Sequence, residues 1–122
     1  MTEITVALGE RSYPIRIGAG ILDAIVELVE RLDVSASIGV VTDATVGATH
    51  GARLEHLLRD AGLNPVTYTM PPGESAKRLA RIEEITGTFL EAGLDRSSAV
   101  IALGGGVVGD VAGFAAASFM RG

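Results

Sequence analysis

Ala99-Val100-Ile101-Ala102-Leu103-Gly104-Gly105-Gly106-Val107-Val108-Gly109-Asp110 is the stretch on which the reading of this sequence turns. Its first five residues are wholly apolar, and a short apolar run bounded by turn residues reads as a buried strand. The small residues from about Val107 to Phe119 read as a helix. Between them, Gly104 to Gly109 has the G-x-G-x-x-G spacing. Glycines there let the backbone turn tightly and come close to a pyrophosphate, with no Cβ in the way. The amides at the start of the following helix then point at the anion. The competing reading is a glycine turn needed only to pack the strand against the helix. The motif also departs from the usual dinucleotide pattern. It sits at the last strand-to-helix turn, and no acidic residue some twenty positions further on can be read.

Working outward, strands alternate with helices. Val66 to Met70 reads as a strand, and a helix from near Ser75 presents Leu79, Ile82, Ile85, Phe89 and Leu90 on one face until Gly93. Earlier, Ile38 to Val41 reads as a buried strand ending in Thr42-Asp43. A helix then carries Val46, Leu54, Leu57, Leu58 and Ala61 and stops at Gly62. Ile21 to Leu32 has helical spacing with Glu27, Glu30 and Arg31 on the opposite side. At the start, Ile4, Val6 and Leu8, and then Tyr13, Ile15 and Ile17, alternate around Gly9-Glu10-Arg11-Ser12, as in a β-hairpin. Pro14 lacks an N–H and belongs at an edge. This order predicts an α/β fold, Rossmann-like, with a mainly parallel sheet, helices on both faces and an N-terminal hairpin. The stop at Met120-Arg121-Gly122, directly after a helix, is read as the front part of a longer protein.

Composition narrows the function classes. The chain has 122 residues and is 48% hydrophobic, enough for one domain with a core. Its net charge is −5, with no Trp, which argues against nucleic-acid binding. Cysteine is absent, so disulfides and thiolate sites are excluded. No basic-then-apolar leader or membrane-length apolar run is present, and a cytoplasmic protein is expected, with no membrane partner.

Two further segments carry candidate chemistry. Pro72-Gly73-Glu74-Ser75-Ala76-Lys77 also lies between a strand and a helix. Glu74 is suited to ribose hydroxyls and Lys77 to phosphate. The bland alternative is a Pro-Gly turn with a Ser75 cap and a solvated charge pair. Asp43, at a strand end, either grips ribose or caps the next helix, and capping is the commoner role. The surface of Gly109, Gly113, Ala115, Ala116, Ala117 and Ser118 suits close packing on the sheet. His50 and His56 are six apart and read as surface residues, not a metal pair. No catalytic triad or carboxylate pair stands out.

Taken together, these segments resemble the dehydroquinate synthase family of the shikimate pathway. Leu8 to Ile15 resembles its opening hairpin and Pro72 to Lys77 its G-E-x-x-K segment. Ala102 to Asp110 resembles its A-L-G-G-G-V-V-G-D signature, and Gly113 to Gly122 the helix and R-G that follow. The resemblance implies an NAD-dependent carbon–oxygen lyase of aromatic amino acid biosynthesis. It converts 3-deoxy-D-arabino-heptulosonate 7-phosphate to 3-dehydroquinate plus phosphate, with a divalent metal, zinc or cobalt. It implies NAD contacts at Asp43, Pro72, Gly73, Glu74, Ser75, Ala76, Lys77, Gly105, Gly106, Val107, Val108, Gly109 and Asp110. Arg121 matches an arginine that binds substrate phosphate, in family dimers from the neighbouring subunit, so a homodimer is expected. Thr45 stands where some members carry Asn. The family's metal ligands, a Glu and two His, fall in a later helical domain outside this chain. Residues 1–122 are thus expected to be an incomplete NAD-binding domain, with no catalytic residue and no activity alone. The rivals are another sugar-phosphate cyclase of the same fold, a metal-dependent alcohol dehydrogenase, and a stand-alone nucleotide-binding module.

Overall fold

A computed structural model describes residues 1–73, 75 and 77–119. The elements run β1 (Thr2–Val6), β2 (Tyr13–Ile17), α1 (Ile25–Glu30), β3 (Ser37–Asp43), α2 (Ala44–Val46), α3 (Ala52–Asp60), β4 (Asn64–Met70), α4 (Leu79–Glu91), β5 (Ala99–Leu103) and α5 (Gly106–Ser118). A 3-10 turn at Ile21–Ala24 leads into α1, and a wider π-type segment at Gly47–Gly51 joins α2 to α3. The architecture is α/β, with a parallel sheet flanked by helices and a separate antiparallel hairpin, as the alternation of elements predicted.

The sheet has the order β4-β3-β5, with β3 in the middle and parallel to both neighbours. Ile38 to Thr42 are all buried, as a central parallel strand covered on both faces requires. Alternation divides its side chains. Ile38 and Val40 pack with Val29, Leu54 and Leu58 from α1 and α3. Val41 points the other way, into a core of Met70, Ile85, Phe89, Leu94, Val108, Val111, Ala112, Ala115 and Phe119. That core belongs to α4 and α5. The change of face follows from topology. The chain steps from β3 to β4 and then reverses across β3 to reach β5. Because crossovers between parallel strands are right-handed, reversing direction moves the connecting helix to the opposite face.

Glycines end two helices as their position suggests, with φ of 80° at Gly62 and 88° at Gly93, where a Cβ is unfavourable. Gly39 has a different reason. A Cβ there would lie 2.8 Å from the Phe89 ring and 3.1 Å from Leu94 Cδ2, so β3 is narrow where α4 crosses it.

Three details differ from the sequence reading. The helix expected from near Ser75 begins at Leu79, so Ser75 is not its N-cap. Arg78 occupies the N-cap in an extended conformation, with no capping side chain. Leu79 and Leu90, expected on the buried face, are 77% and 52% exposed. The hairpin forms in register, Ile4 opposite Ile15 and Val6 opposite Tyr13, with Pro14 opposite Thr5. Leu8 falls outside it, because Ser12 Oγ accepts the Leu8 amide at 2.8 Å and closes a tight turn. The hairpin's polar side faces the body, where Arg16 reaches Glu27 at 4.0 Å, and Ile4, Tyr13, Ile15 and Ile17 are exposed.

Gly39→Ala is expected to destabilise the fold by about 1–3 kcal/mol, the cost of forcing a methyl into a packed core. Urea denaturation of the two proteins checks this, and equal midpoints would contradict the close crossing of α4 over β3.

Candidate functional site

Parallel strands end together, and here the register makes the ends level. Thr42 lies opposite both Leu103 and Thr69, and Asp43 lies opposite Met70. The segments singled out in the sequence therefore meet at one edge, after β3, β4 and β5. The loops leaving β3 and β5 go to helices on opposite faces, which opens a crevice between adjacent strand ends. Open α/β sheets take their ligands at such a point. The buried Thr42 hydroxyl donates to the Leu103 carbonyl at 2.7 Å, which ties the two strands together directly beneath the glycine turn.

The four glycines of that turn do different work. A Cβ on Gly104 would stand 2.6 Å from Val108 Cγ2 and 2.8 Å from its Cβ. Strand-to-helix packing thus accounts for Gly104. It does not account for Gly105, Gly106 or Gly109, whose Cβ positions are open space and whose φ angles are not left-handed. What these three share is an unobstructed approach to the backbone at the start of α5. Gly105 is the N-cap and no side chain caps the helix. The first helical bond closes from the Gly109 amide to the Gly105 carbonyl at 3.0 Å. The amides of Gly106, Val107 and Val108 precede it, the usual unsatisfied donors of a helix start. Donors and helix dipole together favour an anion.

Lys77, from the loop before α4, and Asp110, on α5, come together, Nζ to Oδ2 at 2.7 Å, on a partly exposed surface. From this pair a cleft of about 390 Å³ runs between the start of α4 and the second and third turns of α5, lined by Lys77, Arg78, Leu79, Ile82, Asp110, Val111 and Phe114. It lies beside the glycine turn rather than over it. The sequence reading missed Arg78, Leu79, Ile82, Val111 and Phe114 as lining residues. Phe114, 55% exposed on an otherwise small-residue helix, was the available signal.

Asp43 takes the role that competed with ribose binding. Its Oδ1 accepts the Val46 amide at 2.7 Å and caps α2. Pro72 and Gly73 lie in the exposed loop after β4, Gly73 with φ of 99°. Ser75 is exposed, and its carbonyl accepts from Arg78 Nε at 3.0 Å. Glu74, Ala76 and Arg121 lie outside the described residues. His50 and His56 are exposed, His56 beside Asp60 at 3.2 Å. Among the described residues no three His, Cys, Asp or Glu side chains cluster as metal ligands. No helix among them is long and apolar enough to cross a membrane.

A three-stranded parallel sheet with helices on both faces, and a bare helix N-terminus at its carboxyl edge, places the chain among the doubly wound α/β proteins. Within that class the sequence is similar to the N-terminal part of 3-dehydroquinate synthases. Residues 67–122 match the family model described as 3-dehydroquinate synthase N-terminal. The 3-dehydroquinate synthase of Geobacter metallireducens is 43% identical over 122 residues, covering 100% of this chain and 34% of the relative. That of Caulobacter vibrioides is 45% identical over 120 residues, 98% of this chain and 32% of the relative. The chain therefore spans about a third of the length of these curated relatives.

Solved structures agree on the fold. A 2-deoxy-scyllo-inosose synthase complexed with carbaglucose-6-phosphate, NAD+ and Co2+ superposes with a TM-score of 0.82 at 24% identity, over 99% of this chain and 32% of that one. The 2-epi-5-epi-valiolone synthase of Streptomyces hygroscopicus, with NAD+ and Zn2+ bound, gives 0.72 at 30% identity, over 95% and 32%.

The two kinds of glycine separate in a mutational pair. Gly104→Ala is expected to cost about 1–3 kcal/mol of stability through its clash with Val108. Gly105→Ala, which meets no neighbour, should cost less, about 0.5–1 kcal/mol from the poorer N-cap preference of alanine. Calorimetric melting of both variants reads the difference, and equal losses would refute the division.

Proposed function

We propose that this chain supplies the NAD-binding wall of a 3-dehydroquinate synthase, an NAD-dependent carbon–oxygen lyase that releases phosphate from 3-deoxy-D-arabino-heptulosonate 7-phosphate. The observation that carries the reading is the uncapped start of α5. Three glycines whose Cβ positions are open leave it accessible, and Lys77 and Asp110 meet beside it. The identity to synthases across the whole chain supplies the reaction class.

The residues present fit a dinucleotide. The Gly106, Val107 and Val108 amides are placed to donate to a pyrophosphate, and Gly105 and Gly109 leave its approach clear. Lys77 and Asp110 present one charge of each sign beside it, suited to phosphate and to ribose hydroxyls. Pro72, Gly73 and Ser75, in the loop after β4, extend that contact, and the resemblance adds Glu74 and Ala76. Asp43 keeps Oδ2 outside its capping bond for the nucleoside side. NAD, when bound, supplies a hydride acceptor that returns the hydride later. The chain's own part is to hold and orient the cofactor over the crevice while the Thr42–Leu103 bond keeps the edge rigid.

A divalent metal does not fit the described residues. In this proposal the metal, most substrate contacts and the catalytic groups belong to a helical domain beyond residues 1–122. Arg121 then reaches substrate phosphate, from the neighbouring subunit of a cytoplasmic homodimer. A second reading, a cyclase for a different sugar phosphate, is favoured by the solved-structure neighbours, but their identity of 24–30% is well below the 43–45% to synthases.

Two measurements test this. Isothermal calorimetry should detect NAD binding by the chain, weaker than by a full-length synthase. Gly105→Ala should weaken it about tenfold or more, since a methyl in the anion's path removes a charge-assisted hydrogen bond. Undiminished affinity in that variant contradicts the site. Separately, the pure chain should release no phosphate from the heptulosonate phosphate. Turnover comparable to a full-length synthase would overturn the assignment of catalysis to the missing domain.

A further inference from the structure

The N-terminal half of α4 is anchored more lightly by the core than the rest of the helix, with Ile82 packed against it only in part. Ile85 and Phe89 are fully buried and secure the middle and C-terminal half of the helix. Nearer its start, Leu79 is 77% exposed and Ile82 is only half-buried, on the wall of the cleft. Yet this loosely packed end receives the loop that delivers Lys77 to Asp110.

A polar cluster adds to that partial apolar anchor. Arg81 Nη1 donates to the Tyr68 hydroxyl at 3.0 Å and to Glu84 Oε2 at 3.2 Å. The Tyr68 hydroxyl in turn donates to Glu84 Oε2, which closes the triangle. Burial raises the Tyr68 pKa above the ordinary tyrosine value, so at neutral pH the hydroxyl keeps the proton it donates. Tyr68 stands two residues before Met70, where β4 ends and the loop begins. Arg81 stands in the first turn of α4, where the loop ends. Its amide bonds the Arg78 carbonyl at 3.0 Å, and the Arg78 guanidinium reaches back to the Ser75 carbonyl at 3.0 Å. Contacts therefore run unbroken from the strand through the helix start into the loop. Among the described residues, Arg81 Nε is the one buried side-chain nitrogen or oxygen without a hydrogen-bond partner. A guanidinium that gives up a donor to lie here is not an incidental surface charge.

We propose that Tyr68, Arg81 and Glu84 form a positioning triad that sets where Lys77 stands against Asp110, and so tunes nucleotide binding at the glycine turn without touching the nucleotide. The binding half of this inference rests on the NAD reading above; the positioning half does not. Removing the triad releases the first turn of α4 and its loop while Ile85 and Phe89 keep the rest of the helix in place. The effect is local rather than global.

The test uses Tyr68→Phe, which keeps the ring and removes the hydroxyl, together with Arg81→Met and Arg81→Lys. Amide hydrogen exchange by NMR is followed at residues 77–82 and at 86–91, beside NAD titration. In Tyr68→Phe and Arg81→Met, exchange at 77–82 should rise about fivefold or more, with 86–91 unchanged. The NAD dissociation constant should rise about threefold to tenfold. Arg81→Lys, which keeps a cation for Tyr68 and Glu84, should restore part of both. Uniform acceleration along α4, or no rescue by Lys, reduces the triad to bulk stability and overturns the proposal. Selective exchange with unchanged NAD affinity overturns its link to binding. If the unsubstituted chain takes up no NAD, the nucleotide reading fails by itself, and the exchange pattern still decides whether the triad places the loop.

Discussion

The structure depends on one strand that is dry on both sides. Ile38 to Thr42 have no access to water, so every backbone group of that segment must be satisfied by β4 and β5, and every side chain by a helix. That requirement brings two helices to each face, α1 and α3 on one and α4 and α5 on the other. It also explains Gly39, since a strand crossed so closely by Phe89 has room for a hydrogen and no more. The level ends of the three strands are the same constraint seen from the edge. Full pairing along β3 leaves Asp43, Met70 and Leu103 side by side, with a chemically distinct loop leaving each.

Much of this was legible in the sequence because it rests on local periodicity. The apolar runs at Ile38 and Ala99 are too short and too continuous for amphipathic helices, and Gly62 and Gly93 stand at left-handed positions that other residues resist. The start of α4 was not legible. Ser75 is a good cap by type, but Arg78, in extended conformation, stands at the N-cap and the helix begins at Leu79. Leu79 then looks like a core residue by spacing, yet faces the cleft. Spacing reports which face a residue shares, not whether that face is covered at a given turn.

The site was legible in parts. The glycine turn could be read because its geometry is local. Which glycines serve packing could not, since only the position of Val108 separates Gly104 from the other three. Asp43 carried two readings, and its bond to Val46 settles one oxygen of the carboxylate on the commoner role. The meeting of Lys77 with Asp110 joins residues 33 positions apart, and nothing in their charges alone names the partner. Arg81 and Glu84 are helical neighbours by spacing. The tyrosine that binds them comes from a strand, which only the fold reveals.

The Lys77–Asp110 pair also bears on how this edge of the molecule responds to salt. The two charges offset each other at 2.7 Å, on a chain whose net charge is −5. Oriented amide dipoles at the start of α5 add an attraction that acts at contact and fades within a turn of the helix. Counter-ions screen charges separated by about a Debye length, roughly 8 Å at physiological ionic strength, far more than groups already touching. An anion seated on those amides would be less sensitive to ionic strength than one gathered in by a basic surface.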